Sequence, residues 1–155
     1  MNFPLSLPDF SSRTCSPELM DDHTLDNQHL YVTLKHFTLI NRLFSGTASL
    51  FRRFIFQDIK RRGLKSVTIM DIGAGGGDFA RYCVRFFKKQ SIDATVICLD
   101  NDPRIISYLK ISCKHYPSIK IINGSCLELD SIQGDIDYCI TNNVLHHFDD
   151  IIVPS

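Results

Sequence analysis

Residues 67 to 83 read VTIMDIGAGGGDFARYC, and four of the chain's eight glycines fall within five positions of one another here. Asp71 stands two residues before the first of them, at the end of a short apolar run. Giving up so many side chains lets the backbone turn tightly and come close to a ligand that any Cβ would push away. The β-branched run before the glycines reads as a buried strand and the stretch after them as a helix. A glycine-rich turn between such elements confines the chain to a narrow set of α/β arrangements.

The rest of the second half repeats the alternation. SVTIMDI, ATVICLD, IKIIN and IDYCITNN read as four strands, with GDFARYCVRFFKKQ and PRIISYLKISCKHY as helices between the first three. Pro103 suits a helix start, and Ile105, Ile106, Leu109 and Cys113 share one face of that helix. Strand, helix, strand, helix, strand, strand is the layout of an open parallel sheet wound by right-handed crossovers.

The first half reads differently. Residues 1–24 are polar and turn-rich and are expected to be a flexible N-terminal segment, with Ser16 and Pro17 offering one helix start. From Asp26 the apolar residues Leu30, Leu34, Phe37, Ile40 and Phe44 recur at helical spacing until Gly46 interrupts them. A second helix is expected to bury Leu50, Phe51, Phe54, Ile55 and Ile59 and to end at Gly63. Its Arg52, Arg53, Lys60, Arg61 and Arg62 are read as a solvated face with cations at a helix C-terminus, in preference to a nucleic-acid patch.

Composition narrows the partners. The formal net charge is zero, which gives no overall pull toward nucleic acid or an anionic membrane. The N-terminus lacks a basic leader followed by an apolar run, and no window is long enough to span a bilayer. The six cysteines, at 15, 83, 98, 113, 126 and 139, form no C-x-x-C pair and no metal site is expected. They are read as reduced thiols of a cytoplasmic protein, most of them small apolar fillers.

The identity of the ligand turns on one residue. Gly73 and Gly75 fit the dinucleotide pattern G-x-G-x-x-G, but its third glycine is replaced by Asp78, and an acid at a helix start repels a pyrophosphate. The triphosphate loop ending in Gly-Lys-Ser/Thr is absent too. What the stretch does match is D-x-G-x-G-x-G, through Asp71, Gly73, Gly75 and Gly77. This resembles the first motif of class I S-adenosylmethionine-dependent methyltransferases. The resemblance continues through CLDND at the end of the second strand, NGSCLEL after the third, and TNNVLHHFDD after the fourth, the last similar to the N-x-V-L-H-H segment of ubiquinone- and menaquinone-type enzymes. The N-terminal LKHFTLINRLFSG is similar to the helical lead-in of some bacterial members.

The resemblance implies a Rossmann-like, doubly wound parallel sheet with partial strand order 3-2-1-4, residues 25–63 as a helical lid and residues 64–155 as a partial cofactor domain. S-adenosylmethionine is the implied cofactor, held by Asp71, Gly73, Ala74, Gly75 and Gly77 of the turn, Asp100 and Asn101 at the ribose, Ser125 and Cys126 at the adenine, and Asn142, or Asn143 in its place, at the methionine amino group. His146 and His147 are candidate general bases, with pocket closure as their other reading. The implied partner is a small-molecule acceptor methylated at oxygen or carbon, with no nucleic acid and no membrane span. Lid aromatics such as Tyr31, Phe37, Phe44, Phe51 and Phe54 either meet that acceptor or simply pack the lid onto the sheet. The family's sheet has seven strands, whereas the sequence stops at Ser155 just after the fourth, so a shortened enzyme is expected. The alternative is a non-catalytic cofactor-binding remnant or interaction module whose strand-four edge pairs with a second copy or a completing chain.

Overall fold

A computed structural model describes residues 30–34, 36, 46–129, 132 and 134–142. The expectations placed on Phe37, Ile40, Phe44, Asn143, His146 and His147 fall outside these residues.

Residues 30–34 are helical. They are followed by α1 (Thr47–Leu50), a π-helical stretch (Phe51–Phe56) and α2 (Gln57–Arg62), which run on as one rod. Then come β1 (Ser66–Ile72), α3 (Asp78–Lys89), β2 (Asp93–Asp100), α4 (Pro103–Ser112), β3 (Ile119–Asn123) and β4 (Tyr138–Thr141). The four strands form one parallel sheet in the order β3-β2-β1-β4, the order the resemblance implied. The register pairs Ile69 with Val96 on one side and with Tyr138 on the other. Just before β4, Asp137 grips β1 at Thr68, its N–H donating to the Thr68 carbonyl at 3.0 Å and its Oδ2 accepting the Thr68 N–H at 2.8 Å.

Alternation along the strands sends side chains to two faces. Val67, Ile69, Val96 and Cys98 join Ala80, Cys83 and Phe87 of α3 and Leu109 of α4 in the larger core, which also takes Leu30, Leu34, Phe51 and Ile59. Met70, Ile97 and Leu99 point the other way and meet Cys126, Leu129, Ile132 and Ile136 of the β3–β4 connection. Both faces are therefore covered, as a fully parallel sheet requires. Cys83, Cys98 and Cys113 are buried, and burial pushes the Cys83 and Cys98 thiols far above their ordinary values, so they fill space as small apolar groups.

The helix before β1 departs from the sequence expectation in its register. Phe54 and Leu50, expected on the buried face, are 59% and 56% exposed, while Phe56 packs into the core. The π turn is the cause: a wider turn brings i and i+5 onto one face, so Phe56 follows Phe51 toward α3 and Phe54 rotates outward. Phe51 then lies edge-on to Phe79, Tyr82, Phe86 and Phe87, with ring centroids 5.4 to 5.8 Å away. Such pairs add about 0.5–1.5 kcal/mol each beyond the area they bury. Tyr31 likewise packs on Tyr108, at 4.9 Å.

The rod ends where Gly63 adopts φ 65°. The Gly63 N–H donates to the Lys60 carbonyl and the Leu64 N–H to that of Ile59, the double bond of a Schellman cap. α3 ends in the same way, with Ile92 N–H donating to Phe87 and Ser91 N–H to Lys88. There the left-handed position, φ 55°, is filled by Ser91 instead of glycine.

Candidate functional site at the carboxyl edge of the sheet

The turn after β1 sits at the carboxyl ends of the strands, where α/β sheets of this kind bind ligands. Gly73, Gly75 and Gly77 have φ values of 67°, 49° and 71°, a region closed to most residues with a Cβ. The turn is pinned from below, since Gly73 and Ala74 both donate their N–H to the Leu99 carbonyl, at 2.8 and 3.2 Å. Ala74 also accepts from the Gly77 N–H and packs on the larger core.

The glycines differ in what their missing side chains leave room for. A Cβ on Gly77 would meet Leu109 Cδ2 at 2.7 Å and Cys113 Sγ at 3.0 Å. Gly77 thus lets α4 close onto the turn. A Cβ on Gly75 would find only the Gly73 carbonyl oxygen, 4.0 Å away. The Gly75 side of the turn is open, and it is there that a ligand can lie against the backbone.

Three carboxylates surround this opening. Asp71 is 3% exposed, and its Oδ2 is buried with no hydrogen-bond partner among the described residues. Burial, reinforced by the charges of Asp100 and Asp78, pushes its pKa up to about 7. Asp100, at the end of β2, accepts from the Gly75 N–H through Oδ2 at 3.2 Å and from the Asp102 N–H through Oδ1 at 3.1 Å. Burial raises its pKa and these backbone donors oppose the rise. With the Asn101 backbone as a third donor, the carboxylate still keeps acceptor capacity for a hydroxyl. Asp78 opens α3 and is ion-paired with Arg81, whose Nη1 also donates to the Gly76 carbonyl at 2.7 Å.

The other expected residues are spread along the same edge. Asn101 is exposed in the bend after Asp100, and Asp102 caps α4 by accepting the Arg104 N–H at 2.7 Å. Ser125 Oγ accepts the Leu127 N–H at 3.1 Å and shapes its loop, while Cys126 packs beneath it on the second core. Asn142 is half-buried in the bend that follows β4. The structure thus brings Asp71, Gly75 and Asp100 together and leaves Ser125 and Cys126 with local roles of their own. Sequence reasoning missed Arg81, Ser112 and Cys113. Arg81 and Ser112 both donate to Gly76, Ser112 Oγ at 3.3 Å. The available signal was Arg81 three residues after Asp78 on one helix.

S-adenosylmethionine fits this set of groups on chemical grounds. It carries a sulfonium and an ammonium and no phosphate, so a buried partnerless carboxyl oxygen and an acidic rim suit it where they would not suit a pyrophosphate. Its ribose hydroxyls are donors that the Asp100 carboxylate can accept from. Among the described residues no group of His, Cys, Asp and Glu could hold a metal ion.

Comparison with known proteins agrees. The sequence profile of the methyltransferase domain matches residues 69–153, more than half of the chain. No curated protein matches it. A structure assigned to the class I S-adenosylmethionine-dependent methyltransferases of Listeria monocytogenes is similar in fold, with TM-score 0.52 and 13% identity over 79% of this chain and 40% of that one. A SAM-dependent methyltransferase from Aquifex aeolicus gives TM-score 0.50 and 16% identity over 76% of this chain and 56% of that one. A dimethyladenosine transferase from Plasmodium falciparum is 24% identical over 51% of this chain and 26% of that one, with TM-score 0.41. The chain therefore spans well under two thirds of the length of these structures. With its glycine turn inside the matched region and its strands in the order of the fold, the chain belongs to the methyltransferase-domain family.

Proposed function

We propose that this chain binds S-adenosylmethionine at the β1–α3 turn and serves the transfer of its methyl group to a small-molecule acceptor at oxygen or carbon. The observation that carries the cofactor part is Asp71 Oδ2, buried and partnerless beside a turn whose Gly75 side is open. When bound, the cofactor supplies a methyl group on a sulfonium that is already a good leaving group. The protein's task is then to orient and to exclude water. Asp100 fixes the ribose, Asp71 faces the positive end, and Gly75 lets the backbone lie close. His146 or His147 takes the proton from the acceptor in this reading, on the strength of the N-x-V-L-H-H resemblance.

Isothermal titration of the purified chain with S-adenosylhomocysteine, repeated with Asp100→Ala, tests this reading. Binding that the substitution weakens tenfold or more, about 1.4 kcal/mol, supports it. A folded chain that fails to bind at millimolar ligand overturns it. A specific observation keeps the remnant reading alive: Cys139 and Thr141 of β4 are exposed, and β4 pairs only with β1 among the described strands. Binding of the cofactor product without methyl transfer to any acceptor, together with dimerisation that a proline in β4 abolishes, would favour it.

A further inference from the structure

Residues 46–65 carry Arg52, Arg53, Lys60, Arg61, Arg62 and Lys65 against one acid, Asp58. Solvated helices usually balance such cations with carboxylates one turn away. Here the carboxylate is already engaged. Asp58 Oδ2 accepts from the Tyr138 hydroxyl at 2.6 Å and lies 3.7 Å from Arg62, and its Oδ1 pairs with Arg61. Arg53 instead lies over the ring of its neighbour Phe54, at 5.4 Å, and among the described residues no carboxylate pairs with it.

The π turn makes this arrangement matter. By rotating Phe54 out of the core it leaves a phenyl ring 59% exposed in the middle of a cationic surface. Arg53, Phe54, Gln57 and Arg61 line a groove together with Tyr138 of β4, and the paired Asp58 is its one carboxylate. Tyr138 opens β4, which places the groove at the amino edge of the sheet. α2 runs into β1 at Ser66 and Tyr138 lies opposite Ile69, whereas the acidic turn follows Ile72, so the groove lies toward the amino ends of the strands and the turn at their carboxyl ends. The surface is consequently distinct from the cofactor site, with the opposite sign of charge.

We infer that this groove binds single-stranded nucleic acid, with Arg53 and Arg61 on its phosphates and Phe54 under an unpaired base. Cations alone would suit any polyanion. The exposed ring selects a partner with π-faces between its charges, which a single strand has and an acidic peptide lacks. A duplex hides those faces in its stack. The reading replaces the solvated-face expectation for the arginine-rich helix, and it stands independently of the methyltransferase function.

The test is fluorescence anisotropy of a labelled oligouridylate of about 12 nucleotides with the full chain, across about 50 to 200 mM salt. Log affinity should fall linearly with log salt, and Arg53→Ala or Arg61→Ala should each reduce the slope by about 0.7. Phe54→Ala should weaken binding by roughly fivefold to a hundredfold while leaving the slope unchanged. All three positions are on the surface, and circular dichroism checks that each variant is folded. Absence of binding at the lowest salt overturns the inference. So does competition by polyglutamate as effective as that by unlabelled RNA, or an affinity unaffected by Phe54→Ala; either would make the partner an acidic protein. Titration with S-adenosylhomocysteine reads the other site separately, so either proposal can fail alone.

Discussion

The Asp100 carboxylate reaches back from the end of β2 to accept the Gly75 N–H at 3.2 Å, joining two loops 25 positions apart in sequence. The same side chain accepts from Asp102 at the entrance to α4. Asp100 is therefore both a candidate ligand group and a clamp on the turn that forms the site. Asp100→Asn keeps the shape but must point an amide nitrogen at one backbone donor. It should lower S-adenosylhomocysteine affinity about tenfold or more by calorimetry, with a loss of about 1 kcal/mol in urea stability.

Asp71 predicts a pH dependence with a definite sign. Its folded pKa, about 7, lies above the ordinary 3.8. The folded state then holds a proton that the unfolded state has already lost between those values, so this group's contribution to stability falls as pH rises from about 4 to about 7. The whole effect is on the order of 4 kcal/mol. Asp71→Asn should flatten that part of the profile and be more stable than the parent at pH 8, read by urea unfolding at several pH values. A parent profile flat between pH 4 and 7 would contradict the burial argument.

The same group links pH to ligand. A positive ligand beside Asp71 favours the ionised carboxylate and pulls its pKa down. S-adenosylhomocysteine, through its ammonium, should bind more tightly as pH rises from 6 to 8 and should release a proton on binding. Calorimetry in buffers of different ionisation enthalpy measures that proton, and Asp71→Asn should abolish its release.

Gly75 and Gly77 should separate binding from folding. Gly77→Ala combines a left-handed backbone with contacts of 2.7 and 3.0 Å to Leu109 and Cys113, and should cost roughly 2–5 kcal/mol of stability. Gly75→Ala meets no protein atom closer than 4.0 Å, and should cost only about 1–2 kcal/mol. The Gly75 variant should nevertheless lose most of its cofactor affinity, because its methyl group occupies the ligand side of the turn.

Ser91 offers a test in the opposite direction. It holds φ 55° at the end of α3, where Gly63 occupies the corresponding position of the preceding rod. Ser91→Gly should raise stability by about 0.5–1 kcal/mol in thermal or urea unfolding, without affecting ligand binding.

The parts of this fold that depend on period and punctuation were legible in the sequence. β1 and β3 have the bounds that their β-branched runs indicate, and Pro103 begins α4. Of the candidate site the placement was legible, since Asp71 and Asp100 stand at the ends of adjacent strands as their positions after apolar runs indicate. What was not legible depends on a neighbour or on the local winding. Nothing about Gly77 says that Leu109 and Cys113 will close on it, because that contact belongs to the packing of α4. Nothing in FRRFIF states that the helix will widen there and exchange Phe54 for Phe56 at the core, where Phe51 meets four rings of α3 that lie far along the chain.

The register of β1 has a consequence for the order in which the molecule assembles. One edge of β1 pairs with a strand that begins 27 positions after its own start, Ser66 opposite Asp93. Its other edge must wait for Tyr138, which lies opposite Ile69 and also ties Asp58 across 80 positions. On a ribosome that releases the chain from its N-terminus, β1, β2 and β3 can condense with α3 and α4 while half of β1 still presents bare amides and carbonyls. Contacts of such long separation are slow to form, so closure by β4 is expected to follow the pairing of β1, β2 and β3, and the interval before it is when the nascent chain most needs protection from pairing with a stranger.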